Sequence, residues 1–265
     1  MGIPQTISLT DDGVIRVAQI TDTHILEAPG DAFMGVDTHA SLAAVIAAIG
    51  KLKPGPNLVL VTGDLVHDPS AAAYRRLAAL LGELQTPVCC LPGNHDDPTL
   101  MRELLNLGFI NTPRLVNSKA WQILLLDSHL TGRHSGRLSA SELGFLSTTL
   151  NEDSPSNRLI ALHHHPTRID CVWMDNMMLE NAAEFWTVVE CRPSVRGVVW
   201  GHIHQEYQGR RGDINLYGTP STCAQFKPST LLPVRDDLPP AYRLLELHPD
   251  GRIETSVRWL DVCLI

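Results

Sequence analysis

The amino-acid sequence predicts a layered α/β protein, and three features of its 265 residues support this class. Apolar runs rich in β-branched residues alternate with Ala- and Leu-rich segments through the first two thirds of the chain, as in successive βαβ units. After Gly201 the sequence changes to short segments separated by turn residues, which is typical of antiparallel hairpins. Neither an internal repeat nor a break in composition divides the chain. We therefore expect one domain over residues 1–265, with one or two mixed sheets.

The strands of the first two thirds are predicted from apolar, β-branched runs. They cover residues 14–20, 58–62, 87–91, 121–126, 159–162 and 195–200. The helices are predicted from Ala- and Leu-rich patterns between these runs. They cover residues 38–52, 70–84, 98–106 and 139–150. Ser70 is a suitable N-cap for the second helix, and Ser139 with Glu142 forms a capping box that opens the fourth.

The last third is predicted to contain a helical insert near residues 168–192 and hairpins near residues 212–262. Residues 227–240 are Pro-rich and irregular, and a Pro-Asp-Gly turn follows them.

The composition excludes several classes of function. The formal net charge is −8, and no run of Lys and Arg predicts a surface for nucleic acid or for a membrane. No apolar stretch approaches 18 residues, and the N-terminus lacks the basic flank and apolar core of a signal peptide. The six Cys show no C-x-x-C spacing, so we expect reduced thiols in a cytoplasmic protein.

Potential metal ligands follow five of the predicted strands. They are Asp22 and His24, Asp64, Asn94 with His95 and Asp96, His163 within a run of three His, and His202 with His204. Sites in open α/β sheets lie outside the carboxyl ends of the strands, so residues spread over about 180 positions are expected to converge. Asp22 and His24 share the i, i+2 spacing of one strand face. A turn after Gly201 would bring both His202 and His204 inward.

The residue types select the chemistry of the predicted site. Asp, Asn and His donors without thiolates suit divalent ions such as Mn, Fe or Zn. Seven donors exceed the needs of one tetrahedral ion, and they fit two ions about 4 Å apart that share one carboxylate. Each short motif alone is weak, since Asp-x-His or Gly-Asp is common in ordinary turns. We expect a structural hydrogen-bonding role for Asp127, although it also follows a strand.

The ordered set Asp-x-His, Gly-Asp, Gly-Asn-His-Asp, His and Gly-His-x-His resembles the calcineurin-like metallophosphoesterase superfamily. The stretches QITDTHI, GDLVHDPSAAAY, LPGNHDD, WQILLLDS, LHHHP, GHIHQE and TPSTCAQFKP are similar to the bacterial class III 3′,5′-cyclic-AMP phosphodiesterases. This resemblance implies an α/β/β/α sandwich with two mixed β-sheets.

The resemblance also implies the role of each site residue. The first metal would be held by Asp22, His24, Asp64 and His204, and the second by Asp64, Asn94, His163 and His202. The expected metals are Fe and Mn, and such a site also accepts Zn or Co. His95 would stay outside the metal shell beside the phosphate, with Asp96 orienting its ring. We expect the substrate to contact Asn94, His95 and His163.

The implied reaction is hydrolysis of 3′,5′-cyclic AMP to 5′-AMP by a metal-bound hydroxide, with His95 donating a proton to the departing 3′ oxygen. Purine contacts could come from residues 168–178 or 219–226, although core packing is the leading expectation for Trp173, Met174, Met177 and Met178. Ser221, Thr222 and Gln225 could be structural or substrate-facing.

Three alternatives stay open at this point. The chain could be a broader phosphodiesterase that acts on 2′,3′-cyclic nucleotides or aryl diesters with the same chemistry. A non-catalytic scaffold is disfavoured, because every ligand position is kept. A structural metal site would favour closed, thiolate-rich coordination. The protein serine/threonine phosphatases of this superfamily carry Arg after the Gly-Asp motif and Glu after Asn-His. Residues 65–68 contain no Arg, and Asp96 stands where that Glu would be, which argues against a protein phosphatase. Either a monomer or a homodimer is compatible with the sequence.

Overall fold

A computed structural model of the chain describes residues 6–9, 13–152 and 157–261. Residues 1–5 and Cys263 lie outside the described residues. The helices are α1 Thr38–Gly50, α2 Ala71–Gly82, α3 Pro98–Leu104, α4 Ala140–Asn151, α5 Val172–Asp175 and α6 Ala182–Val189. The first nine strands are β1 Thr6–Ser8, β2 Ile15–Ile20, β3 Ala32–Phe33, β4 Val36–Asp37, β5 Leu58–Thr62, β6 Val88–Leu91, β7 Ile110–Asn111, β8 Leu115–Asn117 and β9 Trp121–Leu125. The others are β10 Asn157–Leu162, β11 Val195–Trp200, β12 Tyr207–Arg211, β13 Ile214–Gly218, β14 Gln225–Phe226, β15 Arg235–Asp236, β16 Ala241–Leu247 and β17 Ile253–Trp259.

Two large mixed sheets contain most of the described strands. One has the order β1-β8-β9-β10-β11-β13-β12, and the other has the order β17-β16-β2-β5-β6-β7. In the first sheet β9, β10, β11 and β13 run parallel, and in the second β2, β5, β6 and β7 run parallel. The antiparallel hairpins β12–β13 and β16–β17 lie at the edges.

The two sheets pack face to face, with helices on both outer faces. Leu58 and Leu60 of β5 point between the sheets, whereas Val59 and Val61 of the same strand point to α1 and α2. The alternation follows from the two-residue period of a strand. On the far side, Ile160 of β10 packs in the cluster that contains residues of α4 and α6. The predicted α/β/β/α sandwich with two mixed sheets is confirmed.

The predicted elements differ from the structure mainly at short segments. The six predicted strands correspond to β2, β5, β6, β9, β10 and β11, and the four predicted helices to α1–α4. The sequence analysis missed two-residue strands such as β3 and β7, because so short a segment carries no periodic signal. Two helices, α5 and α6, lie within residues 168–192. That the chain forms one domain stays a prediction.

The register of the parallel strands places five carboxyl ends side by side. Pairings such as Ile20 with Val61 and Leu162 with Trp200 align the strand ends within each sheet. The buried amide of Gln19 joins the two sheets there, since its Nε2 lies 2.9 Å from Thr62 Oγ1 and 3.2 Å from Trp200 O. Within the described ranges, no helix is long and apolar enough to cross a membrane.

Candidate metal centre

The predicted ligands lie in the turns that leave these strands, and five of them have left-handed backbones. The φ angles are 52° for Asp22, 44° for His24, 48° for Asp64, 66° for His202 and 49° for His204. Non-glycine residues rarely adopt this conformation, and it persists where the surroundings hold it. The expectation that Asp22 and His24 share one face of a strand is wrong, because β2 ends at Ile20 and both residues belong to the following turn.

Backbone hydrogen bonds between the turns hold this geometry. The N–H of Asp22 donates to Gly63 O at 3.0 Å, and the N–H of His24 donates to Asp64 O at 3.0 Å. The N–H of His202 donates to the Asp22 carboxylate at 3.0 Å, which connects the turn of one sheet to the turn of the other. The centre therefore depends on the packing of both sheets.

The first group of donors contains Asp22, His24 and His204, all buried. His204 Nε2 lies 3.2 Å from Asp22 Oδ1 and 3.3 Å from His24 Nε2. The Oδ2 of Asp64 lies 3.8 Å from His24 Nε2. These atoms face a common point, as the ligands of one cation would.

The second group contains His163, Asn94 and His202. His163 Nε2 lies 3.4 Å from the Oδ1 of Asp64 and 3.2 Å from the Oδ1 of Asn94. The ring of His202 lies 5.0 Å from that of His163, measured between centroids. The two oxygens of Asp64 therefore face different groups, which is the position expected of a carboxylate that bridges two ions.

Backbone carbonyls fix the orientation of two ligand rings. His163 Nδ1 donates to Thr62 O at 2.8 Å, and His204 Nδ1 donates to Ala224 O at 2.6 Å. With the proton on Nδ1, each neutral ring presents the lone pair of Nε2 to the centre. Such outer hydrogen bonds are typical of histidines that bind metal.

The electrostatics of the centre favour positive charge. Burial alone would lower the pKa of His163, but the carboxylate of Asp64 raises it to about 9. Burial would likewise lower the pKa of His204, and Asp22 raises it. Burial would raise the pKa of Asp64, yet the positive charge of His163 holds it well below the ordinary value. Bound protons or bound cations can both neutralise these buried carboxylates.

Two further observations show that the donor set fits metal ions. The Nε2 atoms of His24 and His204 lie 3.3 Å apart and both face the centre, and the Nδ1 of neutral His204 already holds its ring proton. The buried Nε2 of His202 has no hydrogen-bond partner among the described residues. A buried nitrogen without a hydrogen-bond partner is costly, and a bound cation would remove that cost.

His95 lies at the edge of the two donor groups. Its backbone N–H donates to Asp64 Oδ1 at 2.9 Å, and its ring Nδ1 lies 2.8 Å from His67 O. The expectation that Asp96 orients this ring is wrong. The carboxylate of Asp96 accepts instead from the N–H of Gly93 at 2.8 Å and from the Tyr74 hydroxyl at 3.0 Å, so it stabilises the turn itself.

The sequence pattern of the calcineurin-like phosphoesterase family matches residues 15–206, which include every residue of both donor groups. The chain belongs to this family.

Relatives of this phosphoesterase match along nearly the whole chain. It is 40% identical over 260 residues to the 3′,5′-cyclic adenosine monophosphate phosphodiesterase CpdA of Escherichia coli. The match covers 96% of this chain and 93% of that protein. It is 37% identical over 244 residues to a 3′,5′-cyclic-nucleotide phosphodiesterase of Nostoc sp., over 92% and 91% of the two chains. A dimetal phosphatase from Danio rerio has the same fold, with a TM-score of 0.64 at 13% identity over 94% of this chain and 99% of that one.

Two cavities of the phosphoesterase adjoin His95. One, of about 120 Å³, lies between the metal ligands and a wall that includes Phe33, Trp173, Met177 and Phe226. The other is a more open cleft of about 650 Å³. Its lining includes His67, Asn94, His95, Asp97, His129 and Thr131. Met174 also lines the smaller cavity, although it is 1% exposed, and like the half-buried Trp173 and Met177 it packs with the apolar cluster below.

Several polar residues near the centre have structural contacts. Ser221 Oγ donates to Asp22 O at 2.8 Å, and the N–H of Ser221 donates to Gln225 Oε1 at 3.0 Å. Asp127 accepts from Arg102 at 2.9 Å and from the N–H of His129 at 3.0 Å, in agreement with the structural role expected for it.

Sequence reasoning missed His67, whose ring contacts both His24 and His95. The one available signal was its position three residues after Asp64, in the same turn.

Proposed function

We propose that the chain is a dinuclear-metal phosphodiesterase that hydrolyses 3′,5′-cyclic AMP to 5′-AMP. The observation that carries this proposal is the pair of donor groups on either side of Asp64, with His95 at their edge. The names of the curated relatives support a cyclic nucleotide as the substrate.

In this proposal Asp22, His24, Asp64 and His204 hold one ion. Asp64, Asn94, His163 and His202 hold the other. The resemblance of the motifs favours Fe and Mn. When bound, the two cations supply positive charge that polarises the phosphoryl group and makes a water molecule a stronger nucleophile.

The chain itself contributes orientation, charge and a proton. The hydrogen bond to His67 O fixes His95 Nδ1 as a donor, which leaves Nε2 for the substrate. In its doubly protonated form, His95 donates from Nε2 to the departing 3′ oxygen, and its charge stabilises the phosphoryl oxygens. Asn94 adds a neutral amide beside an anionic substrate, and His163 completes the set that faces the phosphate.

The wall opposite the ligands is suited to the adenine base. Trp173 and Phe226 come from the two segments of the sequence expected to contact a purine, and their ring centroids lie 4.9 Å apart in an edge-to-face arrangement. Flat apolar surfaces of this kind bind aromatic bases by stacking and by exclusion of water.

We further propose that residues 1–265 act as one cytoplasmic domain, as a monomer or a homodimer. The described cysteines Cys89, Cys90, Cys171, Cys191 and Cys223 are all free thiols, which suits a reducing compartment.

The experiment is a steady-state assay of metal-reconstituted protein on 3′,5′-cyclic AMP, 2′,3′-cyclic AMP and bis(p-nitrophenyl) phosphate. We expect the wild type to convert 3′,5′-cyclic AMP to 5′-AMP. We expect His95→Ala to lower kcat by roughly 10²–10⁴-fold, because a positioned acid is lost. The matched control is His39→Ala, since His39 is an exposed histidine of α1.

If the protein hydrolyses only the other two diesters, the proposed phosphodiesterase reaction is supported and the proposed substrate is overturned. An absence of all turnover by protein that binds two metal equivalents would overturn the proposed activity.

A further inference from the structure

His67 lies between a predicted metal ligand and the predicted catalytic acid. Its partly buried ring stacks on the ring of His95, with centroids 4.9 Å apart and planes at 25°. The His67 ring also packs against Phe33, with centroids 4.6 Å apart and planes at 41°. Its Nδ1 lies 3.4 Å from the Nδ1 of His24, at the long end of a hydrogen bond.

The direction of this hydrogen bond follows from the other nitrogen of the His24 ring. Its Nε2 points to His204 and Asp64, so a cation there requires the Nε2 lone pair. The proton of neutral His24 must then be on Nδ1, which donates to Nδ1 of His67. His67 in turn carries its own proton on Nε2.

His24 differs in this respect from the two ligands held by carbonyl oxygens. His163 and His204 donate to Thr62 O and Ala224 O, which no side-chain substitution removes. The outer nitrogen of His24 faces a side chain, so the orientation and basicity of this ligand can be changed by one mutation.

The same residue also fixes the catalytic ring. The backbone oxygen of His67 accepts from His95 Nδ1 at 2.8 Å, while its side chain lies against the face of that ring. His67 therefore holds one ring through its side chain and another through its main chain.

We propose that His67 is a positioning residue, whose Nδ1 accepts a hydrogen bond from His24 and thereby orients that ring toward the metal. The inference rests on the proposed function, because it assumes that His24 binds a cation through Nε2.

Two variants separate the hydrogen bond from packing. His67→Phe keeps an aromatic ring against His95 and Phe33 but removes the acceptor. His67→Asn removes the ring but places an amide oxygen near the former position of Nδ1. His39→Phe is the matched control, since His39 is exposed and lies on α1.

The first measurement is titration of metal-free protein with Mn²⁺, with melting temperatures of the metal-free forms as a check on folding. We expect His67→Phe to bind the first Mn²⁺ equivalent roughly 10–100-fold more weakly than wild type, as for other lost partners of metal-binding histidines. We expect His67→Asn and His39→Phe to bind close to wild type.

The second measurement is kcat and KM for 3′,5′-cyclic AMP at limiting and at saturating Mn²⁺. For His67→Phe we expect a loss of kcat at limiting metal that saturating metal restores, with KM unchanged throughout.

Equal Mn²⁺ affinity in wild type and His67→Phe would overturn the inference. Weak Mn²⁺ binding by His67→Asn alone would also overturn it, because the packing of an aromatic ring, and not the hydrogen bond, would then support the site. Loss of a whole third Mn²⁺ equivalent in His67→Phe would also overturn it, since His24, His67 and His95 would then form a metal site of their own. If the wild type binds no Mn²⁺, the proposed function itself fails.

Discussion

Gly93 lies where the turn after β6 passes over Asp64. A Cβ at this position would overlap the carboxylate and the backbone nitrogen of Asp64. The position of the Asp64 carboxylate therefore depends on a residue without a side chain in the neighbouring turn.

We expect Gly93→Ala to displace Asp64 and to abolish most of the activity. Overpacking of this kind costs roughly 1–3 kcal/mol of unfolding free energy. The measurements are kcat/KM and urea denaturation. Gly82→Ala is the control, because a Cβ at Gly82 meets nothing within 4 Å. Full activity in Gly93→Ala would show that Asp64 need not stay where the structure has it.

Tyr74 is the residue of α2 that holds the same turn. Its hydroxyl donates to Asp96 Oδ1 at 3.0 Å and accepts from the N–H of Asp97 at 3.0 Å. Burial and the charge of Asp96 raise the pKa of Tyr74, so the hydroxyl stays a donor at neutral pH.

We expect Tyr74→Phe to lower the free energy of unfolding by roughly 1–3 kcal/mol, because a buried carboxylate loses its donor. Tyr242→Phe, at a buried tyrosine of β16, is the comparison. Equal costs in the two variants, measured by chemical denaturation, would contradict a special role for the Tyr74 hydroxyl.

Among the individual elements, α4 uses the backbone half of its predicted capping box but not the side-chain half. The N–H of Glu142 donates to Ser139 Oγ at 3.1 Å, as the predicted capping box requires. The Glu142 side chain, however, accepts from Arg114 at 2.7 Å and from the N–H of Asp127 at 3.1 Å. Glu142 thus connects α4 to the end of β9 instead of closing its own N-terminus.

Burial raises the pKa of Glu142 above 4.5, against the opposing effect of Arg114. A raised folded-state pKa means that folding takes up a proton, so this contribution to stability is complete below pH 4.5 and declines as pH rises through the folded value. We expect the unfolding free energy of wild type to decline relative to that of Glu142→Gln above pH 4.5. Glu184→Gln, at an exposed residue of α6, should keep the wild-type slope. Parallel curves for wild type and Glu142→Gln would refute the burial effect.

At the scale of the whole molecule, the centre joins the two sheets. Asp22, His24, Asp64 and Asn94 follow strands of one sheet, whereas His163, His202 and His204 follow strands of the other. Cations held by both sets would stabilise the native packing of the sheets, since the ligands are assembled only in the folded state.

We expect Mn²⁺ to raise the melting temperature of metal-free protein. At a free Mn²⁺ concentration a hundred times the dissociation constant, the free energy of unfolding should increase by about 2.7 kcal/mol. Asp64→Ala should lose most of this increase, because both donor groups share Asp64. Asp213→Ala should keep it, since the Asp213 side chain is fully exposed. The measurement is a thermal scan with and without chelator, and an equal increase in all three proteins would place the metal elsewhere.

The amino-acid sequence was sufficient to predict the fold class, the main strands and helices, and the residue types of the centre. These rest on local information: the period of apolar residues, and polar residues that follow apolar runs. The order of the motifs then indicated the family, which the match over residues 15–206 shows.

Which atoms face one another depends on the three-dimensional packing of the chain and could not be predicted from the sequence. Three features depend on how the turns pack together. They are the left-handed turns at Asp22 and His24, the hydrogen bonds of Asp96 to its own turn, and the position of the His67 ring between those of His24 and His95. A hydrogen bond such as that from His202 to Asp22 forms across 180 positions and between two sheets. No local pattern encodes it, because its geometry is set by how the sheets pack.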